Sequence, residues 1–401
     1  MIFLAFGLAG IIIFIGFIGH YLFRITGIPD ILILMIVGIL LGPVFGVIDA
    51  EMLSPISHVF IVLALIIILF DGGLNMSMQK VIKETPRAMI LTLLGVTLSI
   101  FLTTIFTYFV LQWNFLTSLL LGIVLAGVSS SVVIPLINRI NVPDAIKTML
   151  TLESAFTDAI VIVLGLALLQ FMTTAQSEIY TVAHDVAGAF SIAIVVGIIM
   201  GIIWLKVLKY IRGEKYDDIL TLSIVFLCYA VTEGLGGNGA IFALFFGLVL
   251  GNGIYFSRLV KMKQSIQADG IMKKFHGEIS FLITTFFFVY LGLILIVRNY
   301  IVFLFSVTLT LILFFGRYLA TNIISWGKPF LKKSMNVMTI MLPRGLSAAV
   351  MAELIVLSGI PNAEVFPQVV IVVIISTVVI AGVGTSILKR KLTVIPTKKT
   401  S

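Results

Sequence analysis

The sequence predicts an all-α polytopic membrane protein of about thirteen transmembrane helices, each able to span a core roughly 30 Å thick. Three observations carry that prediction. The chain has 401 residues, of which 60% are hydrophobic and only 11% charged, with mean hydropathy +1.22; a soluble domain carries roughly a quarter charged residues. Apolar runs of spanning length recur from end to end. The basic residues collect in alternate linkers between those runs, the pattern expected of cytoplasmic loops.

The predicted runs lie near residues 2–23, 28–45, 56–74, 88–111, 116–138, 146–172, 186–211, 217–234, 239–256, 277–297, 301–325, 335–357 and 366–388. The second is shortened by Pro29 and Gly42-Pro43. Taken alternately after the first run, one set of linkers and the tail holds every Lys and Arg except Arg298, Arg317 and Arg344. That set includes Arg24, Arg139, Arg212, Lys215, Lys263, Lys398 and Lys399. The asymmetry predicts an N-terminus outside and a C-terminus in the cytoplasm. It also accounts for the net charge of +8 by topology, which removes nucleic acid as a partner. The first charge, Arg24, comes too late for the positive leader of a cleavable signal peptide, so the first run reads as a retained helix. A single cysteine, Cys228, offers no disulfide framework.

No linker is long enough to fold alone, so function is expected within the bilayer, in a transporter, a channel or an intramembrane enzyme. The stretch Leu150–Ala159 draws attention because it opens an apolar helix yet carries Glu153 and Asp158. An acid at bilayer depth is costly and marks function by default. Counted from the cytoplasmic end, Glu153 lies ~10 Å deep, Asp158 ~17 Å, and Arg317, on an oppositely running helix, ~12 Å. The shared depth predicts a structural Glu153–Arg317 ion pair, against the alternative that Glu153 snorkels and Arg317 approaches backbone carbonyls. Asp158 has no cation at its own depth. Ser154 is its i−4 neighbour and Thr151 its i−7, with Thr157 beside it, which predicts a stripe of hydroxyl oxygens on one helix face. Oxygens around one carboxylate, here Asp158, suit a hard monovalent cation or a proton.

Two stretches read as interrupted helices: Ala126-Gly127-Val128-Ser129-Ser130-Ser131, followed by Pro135, and Leu342-Pro343-Arg344-Gly345-Leu346-Ser347. Unwound backbone at mid-bilayer is tolerated beside a cavity, and a matched pair of breaks points to crossed discontinuous helices at a transport site. Ser129, Ser130 and Ser131 join the cation and proton candidates, and Arg344 adds a charge to the core. Asp71, Glu233 with Asn238, and Glu353 are weaker candidates. His20, His58, His184 and His276 read as interfacial or loop residues.

These residues carry a resemblance. Leu152-Glu153-Ser154-Ala155-Phe156-Thr157-Asp158 resembles the Glu-Ser-x-x-Asn-Asp signature of the sodium/proton exchanger branch of the monovalent cation:proton antiporters. Leu342-Pro343-Arg344-Gly345 is similar to that family's Pro-Arg-Gly stretch, Phe70-Asp71-Gly72-Gly73-Leu74 to its early acidic-Gly segment, and the run from Gly239 to Val249 to its Gly-rich helix. The resemblance implies thirteen helices in inverted repeats, with a transport core near 56–172 and 277–388 and interface helices near 1–45 and 186–256 that form a homodimer. It implies that Asp158 binds cation and proton in turn, that Ser154 and Glu153 line or brace the site, and that Arg317 pairs with Glu153. The family's Asn is Thr157 here, and its Thr-Asp-Pro break is replaced by Ser129-Ser130-Ser131, so the second acid is absent. One acid in place of two implies electroneutral exchange of one Na+ or Li+ for one H+, with K+ an open alternative. No cofactor and no enzymatic activity are expected. A channel would need a carbonyl filter or acidic ring, which no loop resembles. A protease would need paired Asp or a Ser-His couple.

Overall fold

The computed structural model describes residues 2–26, 29–48, 54–76, 78–138, 140–173, 179–211, 216–261, 270–295 and 300–393. Of the topological charges, Arg139, Arg212, Lys215, Lys263, Arg298, Lys398 and Lys399 lie outside the described residues. Among the described residues all regular structure is helical. In chain order the helices are α1 (Ile2–Thr26), α2 (Asp30–Ile39, continued by a wider turn Leu40–Val44), α3 (Ser54–Asn75), α4 (Met78–Val110), α5 (Phe115–Val124) and α6 (Ser130–Ile137). Then follow α7 (Asp144–Thr173), α8 (Ile179–Ile211), α9 (Asp217–Gly234), α10 (Gly239–Gly251), α11 (Gly253–Leu259) and α12 (Gly270–Ile294). The last are α13 (Tyr300–Ser325), α14 (Pro329–Lys333), α15 (Met335–Ile340), α16 (Leu346–Leu357) and α17 (Val365–Thr393).

Each predicted apolar run is one helix or one helix pair in this order. Among the described residues six helices are long and apolar enough to cross a membrane, or seven if the pair α10/α11, bent by 84°, counts as one span. The remaining runs are shorter or broken, because hydropathy averages straight through a kink that backbone geometry does not. Both expected interruptions are present, between α5 and α6 and between α15 and α16. Three helices start earlier than hydropathy places them: α4 at Met78, α8 at Ile179 and α12 at Gly270. Charged or polar residues near their starts, Lys80, Lys83 and Glu84 on α4, His184 and Asp185 on α8, and Lys273 and Lys274 on α12, lower the local hydropathy.

The chain divides into two compact units. Unit 1 comprises Met1–Ser54, Glu84–Gly165 and Thr285–Ser401. In it α13 packs on α15 and α17, and α17 on α6 and α16. Gly38 and Gly292 face each other so closely that a Cβ on Gly38 would lie 2.8 Å from the Gly292 Cα. Small residues let apolar helices meet backbone to backbone where lipid supplies no hydrophobic drive.

Unit 2 comprises Pro55–Lys83 and Leu166–Thr284. Its centre is α10, packed on α8 and α9. Gly247 and Gly251 are one turn apart on α10, and an added Cβ on either would strike the α3 backbone at Phe70 or Leu74. Gly73 returns the contact from α3 toward Leu244. The acidic-Gly segment and the Gly-rich helix thus meet as a helix crossing, a packing use of their glycines. At the start of α10 the Glu233 carboxylate accepts the Gly239 N–H at 2.8 Å and the Asn238 side chain accepts the Ile241 N–H at 3.1 Å. These two residues cap a helix. His276, expected at an interface, is buried at 2% exposure against Phe70, because α12 begins before it.

Candidate functional site

The site lies in unit 1, where α7 passes both helix breaks. α5 ends because Leu125 and the Gly127 region leave the helix, and Ser129 restarts it as the residue before α6. α15 ends at Ile340, and Pro343, which cannot continue a helix, separates it from α16. The two unwound stretches touch: the Ser129 N–H donates to the Pro343 carbonyl at 2.7 Å. Gly345 lies against Ser129 so closely that any side chain there would collide with it.

Unwinding exposes carbonyls at the end of α5 and N–H groups at the start of α6. Arg344 takes the first set. Its Nη1 donates to the carbonyls of Ala126 at 3.0 Å and Gly127 at 2.7 Å, its Nη2 to the Ser99 hydroxyl at 3.2 Å, and its own N–H to Thr377 Oγ1 at 3.0 Å. A guanidinium with 2% exposure is thereby fixed at the negative end of a half-helix. It does not reach for the Asp158 oxygens; it is occupied by backbone.

Asp158 takes the second set. One carboxylate oxygen, Oδ2, accepts the Ser130 N–H at 3.1 Å and the Ser130 hydroxyl at 2.8 Å. The other, Oδ1, accepts the Ser347 hydroxyl at 2.6 Å. Ser130 opens α6 and Ser347 lies in the first turn of α16, so the carboxylate sits where two half-helices begin. Helix N-termini carry positive partial charge and unpaired N–H groups, which favour an anion. The side chain is half-buried rather than sealed.

The neighbouring hydroxyls divide differently from a stripe along α7. Ser154 is fully buried and donates to the Thr151 carbonyl at 3.0 Å. Thr157 Oγ1 accepts the Val128 N–H at 3.0 Å and lies 3.3 Å from the Val128 carbonyl and 3.1 Å from the Ser154 carbonyl, so it ties α7 to the unwound stretch. The Ser129 and Ser131 hydroxyls bond each other at 2.9 Å. Of the hydroxyl candidates named from sequence, Ser130 is the one bonded to Asp158. Sequence reasoning missed Ser347 and Ser99. Ser347 had a readable signal, a hydroxyl in the first turn after a break; Ser99, mid-way along an apolar helix, had none.

One and a half turns before Asp158 on α7, Glu153 meets Arg317 of α13 through two parallel bonds, Nη1 to Oε1 and Nη2 to Oε2, the latter 2.8 Å. Arg317 Nε also donates to the Met338 carbonyl at 2.9 Å, which anchors the residues before the second break. Both side chains are under 5% exposed. Gly95 of α4 passes close by, and a Cβ there would lie 3.5 Å from Glu153 Oε1. The pair joins α7, α13 and α15 beneath the site.

Comparison with known proteins adds the lineage. The model of the family described as sodium/hydrogen exchanger, transmembrane, matches residues 10–391. A protein named K(+)/H(+) antiporter NhaP2 from Shewanella sp. (strain ANA-3) is 26% identical over 234 residues, 56% of this chain and 40% of that one. The chain thus matches only two-fifths of the length of that relative. A "Probable Na(+)/H(+) antiporter 2" of Methanocaldococcus jannaschii is 27% identical over 66% of this chain and 63% of its own length. In fold, the solved structure of the sodium proton antiporter MjNhaP1 from Methanocaldococcus jannaschii at pH 8 superposes with a TM-score of 0.79, at 20% identity, covering 98% of this chain and 100% of that one. With the family model matched almost from end to end and the same fold recurring over that length, the chain belongs to the transmembrane sodium/hydrogen exchanger family.

Proposed function

We propose that the chain is a secondary antiporter that exchanges one Na+ or Li+ for one H+ by alternating access, with Asp158 as the shared ligand. The observation that carries this reading is the donor set around Asp158: two hydroxyls and one N–H, with no lysine or arginine bonded to either oxygen among the described residues. A fixed cationic partner would occupy the carboxylate permanently. Hydroxyls can do two jobs. Each donates to the bare carboxylate and, by rotating its O–H, can present a lone pair to a cation lodged beside it. A carboxylate so held takes a cation or a proton but not both, and that exclusion couples the two fluxes when the site faces each side in turn.

Several finer points rest on the same reading. Ser130 and Ser347 supply oxygens to the cation, while Glu153, Arg317 and Arg344 hold the frame. One exchanging acid gives electroneutral transport. The alternation of Lys and Arg between linkers supports an N-terminus outside and a C-terminus in the cytoplasm, and the family resemblance supports a homodimer. K+ is the alternative cargo, favoured by relatives that carry the name K(+)/H(+) antiporter.

Reconstituted proteoliposomes test this. Addition of Na+, Li+ or K+ to vesicles holding a proton gradient should collapse that gradient, and the cation with the lowest half-saturating concentration is the cargo. Clamping the membrane potential with valinomycin should leave the rate unchanged. A rate that follows the potential rejects one-for-one exchange, and cation-independent proton flux rejects antiport.

A further inference from the structure

Besides Glu153 and Asp158, unit 1 holds a buried carboxyl that the antiport scheme does not use. Glu353, on α16, is 5% exposed. Its Oε1 has no hydrogen-bond partner, and its Oε2 receives one long bond, 3.4 Å from the Tyr290 hydroxyl of α12. Among the described residues no base forms an ion pair with it. The elements packed on α16 offer none: α5 carries no titratable residue, and the charged residues of α17 are confined to its far end, from Lys389 onward. On α7, whose Gly165 meets Met351 of α16, the nearest acid along the chain is Asp158. Tyr290 is therefore the titratable group that faces Glu353.

The contrast with Glu153 is chemical. Glu153 has a bidentate guanidinium and is stable as an anion; Glu353 has one phenol at long range and is not. A charge buried without a partner is disfavoured, and the group neutralises instead. A neutral carboxyl in this setting holds its proton for as long as the surroundings stay dry.

We propose that Glu353 is a second proton-binding site, neutral in this conformation, whose ionisation acts on the Asp158 site through α16. The link is one rigid helix: Ser347, which bonds Asp158, and Glu353 are six residues apart, ~9 Å along the axis at 1.5 Å per residue. Loss of the proton places a bare charge among apolar side chains and disfavours the present seating of α16. Alkaline conditions therefore shift the chain away from this conformation, and acid conditions retain it. The proton at Glu353 is regulatory, which leaves the one-for-one exchange at Asp158 intact; only this transport arm rests on the antiport reading.

Infrared difference spectra between acid and alkaline pH, taken on the full chain in liposomes, test the site without any flux. In the background of Asp158→Asn, a protonated-carboxyl band should titrate, should vanish on adding Glu353→Gln, and should move to higher frequency with Tyr290→Phe, as a carbonyl losing a donor does. Superimposable spectra for Asp158→Asn with and without Glu353→Gln would overturn the proton site. In the transport arm, Glu353→Gln should move the alkaline limb of the exchange profile by about one pH unit or more, and Glu353→Asp should restore it. An unmoved limb with the band intact would overturn the action on transport. Absence of exchange in the unaltered chain would count against antiport, and the infrared result would still decide the site.

Discussion

Glu153 and Asp158 stand five residues apart on one helix, and they are held in opposite ways. Glu153 is gripped by Arg317 through two bonds, and that arginine is gripped in turn by the Met338 carbonyl. Asp158 is held by hydroxyls and a single N–H from the starts of two half-helices. The first arrangement neutralises a charge for good. The second leaves the negative charge with neutral donors that can be rearranged, which is what an exchanging ligand needs. On the proposed reading the same helix provides a fixed strut and an exchangeable site, and the choice between them is made by the partner's charge.

The largest effect should come from removing the exchangeable acid. Asp158→Asn retains the shape, its one carbonyl oxygen can still accept from Ser130 while its NH2 donates to the Ser347 hydroxyl oxygen, but it has no charge to give to a cation. Cation-dependent proton movement in proteoliposomes should disappear while the melting profile of the purified protein stays close to that of the unaltered chain. Exchange at the normal rate would end the assignment.

Next comes the strut. Glu153→Gln leaves Arg317 buried without its counter-charge, and breaking a buried pair by removing one partner costs about 3–5 kcal/mol. The loss should appear in thermal stability, with half-saturating cation concentration changed far less. Because apolar replacement of a whole buried pair is often close to neutral, Glu153→Leu combined with Arg317→Met should recover much of the stability lost by the single change. Failure of that recovery, with a large loss of cation affinity in Glu153→Gln, would turn Glu153 from a strut into a ligand.

Much of this frame could be read from the chain. Depth arithmetic brought Glu153 and Arg317 to one level because a straight helix converts residue number into height without further information. The breaks were visible through Gly127, Pro343 and Gly345. What could not be read was rotation. Ser154 and Thr157 flank Asp158 in sequence, yet their hydroxyls bond to backbone carbonyls and to Val128, while the oxygens on Asp158 come from Ser130 and from Ser347 on a distant segment. Which way a hydroxyl turns depends on the helix packed against it, and that is a tertiary fact. His276 escaped for a related reason: the polar first turn of α12 hid the helix that buries it.

Ser347→Ala sharpens the comparison at the exchangeable side. It removes the one donor on Asp158 Oδ1 without touching the Glu153 pair. On the proposed reading it also removes one oxygen ligand from the bound cation, so the half-saturating cation concentration should rise roughly tenfold, equivalent to about 1.4 kcal/mol. Ser347→Thr keeps a hydroxyl and should fall between. An unchanged affinity in Ser347→Ala would mean that the cation does not use the start of α16.

The smallest effect is expected at Thr157, which belongs to neither kind of site. Its hydroxyl accepts the Val128 N–H, so in this structure it is engaged by the backbone of the unwound stretch. Thr157→Val preserves the side-chain shape and strands that buried N–H, at about 1–3 kcal/mol. The consequence should be a modest fall in melting temperature with cation preference unchanged, and Thr157→Ser should restore stability. If Thr157→Val instead changed the order of preference among Na+, Li+ and K+, the hydroxyl would have to leave Val128 and turn to the cation during the cycle, and Thr157 would move from the frame to the exchangeable side.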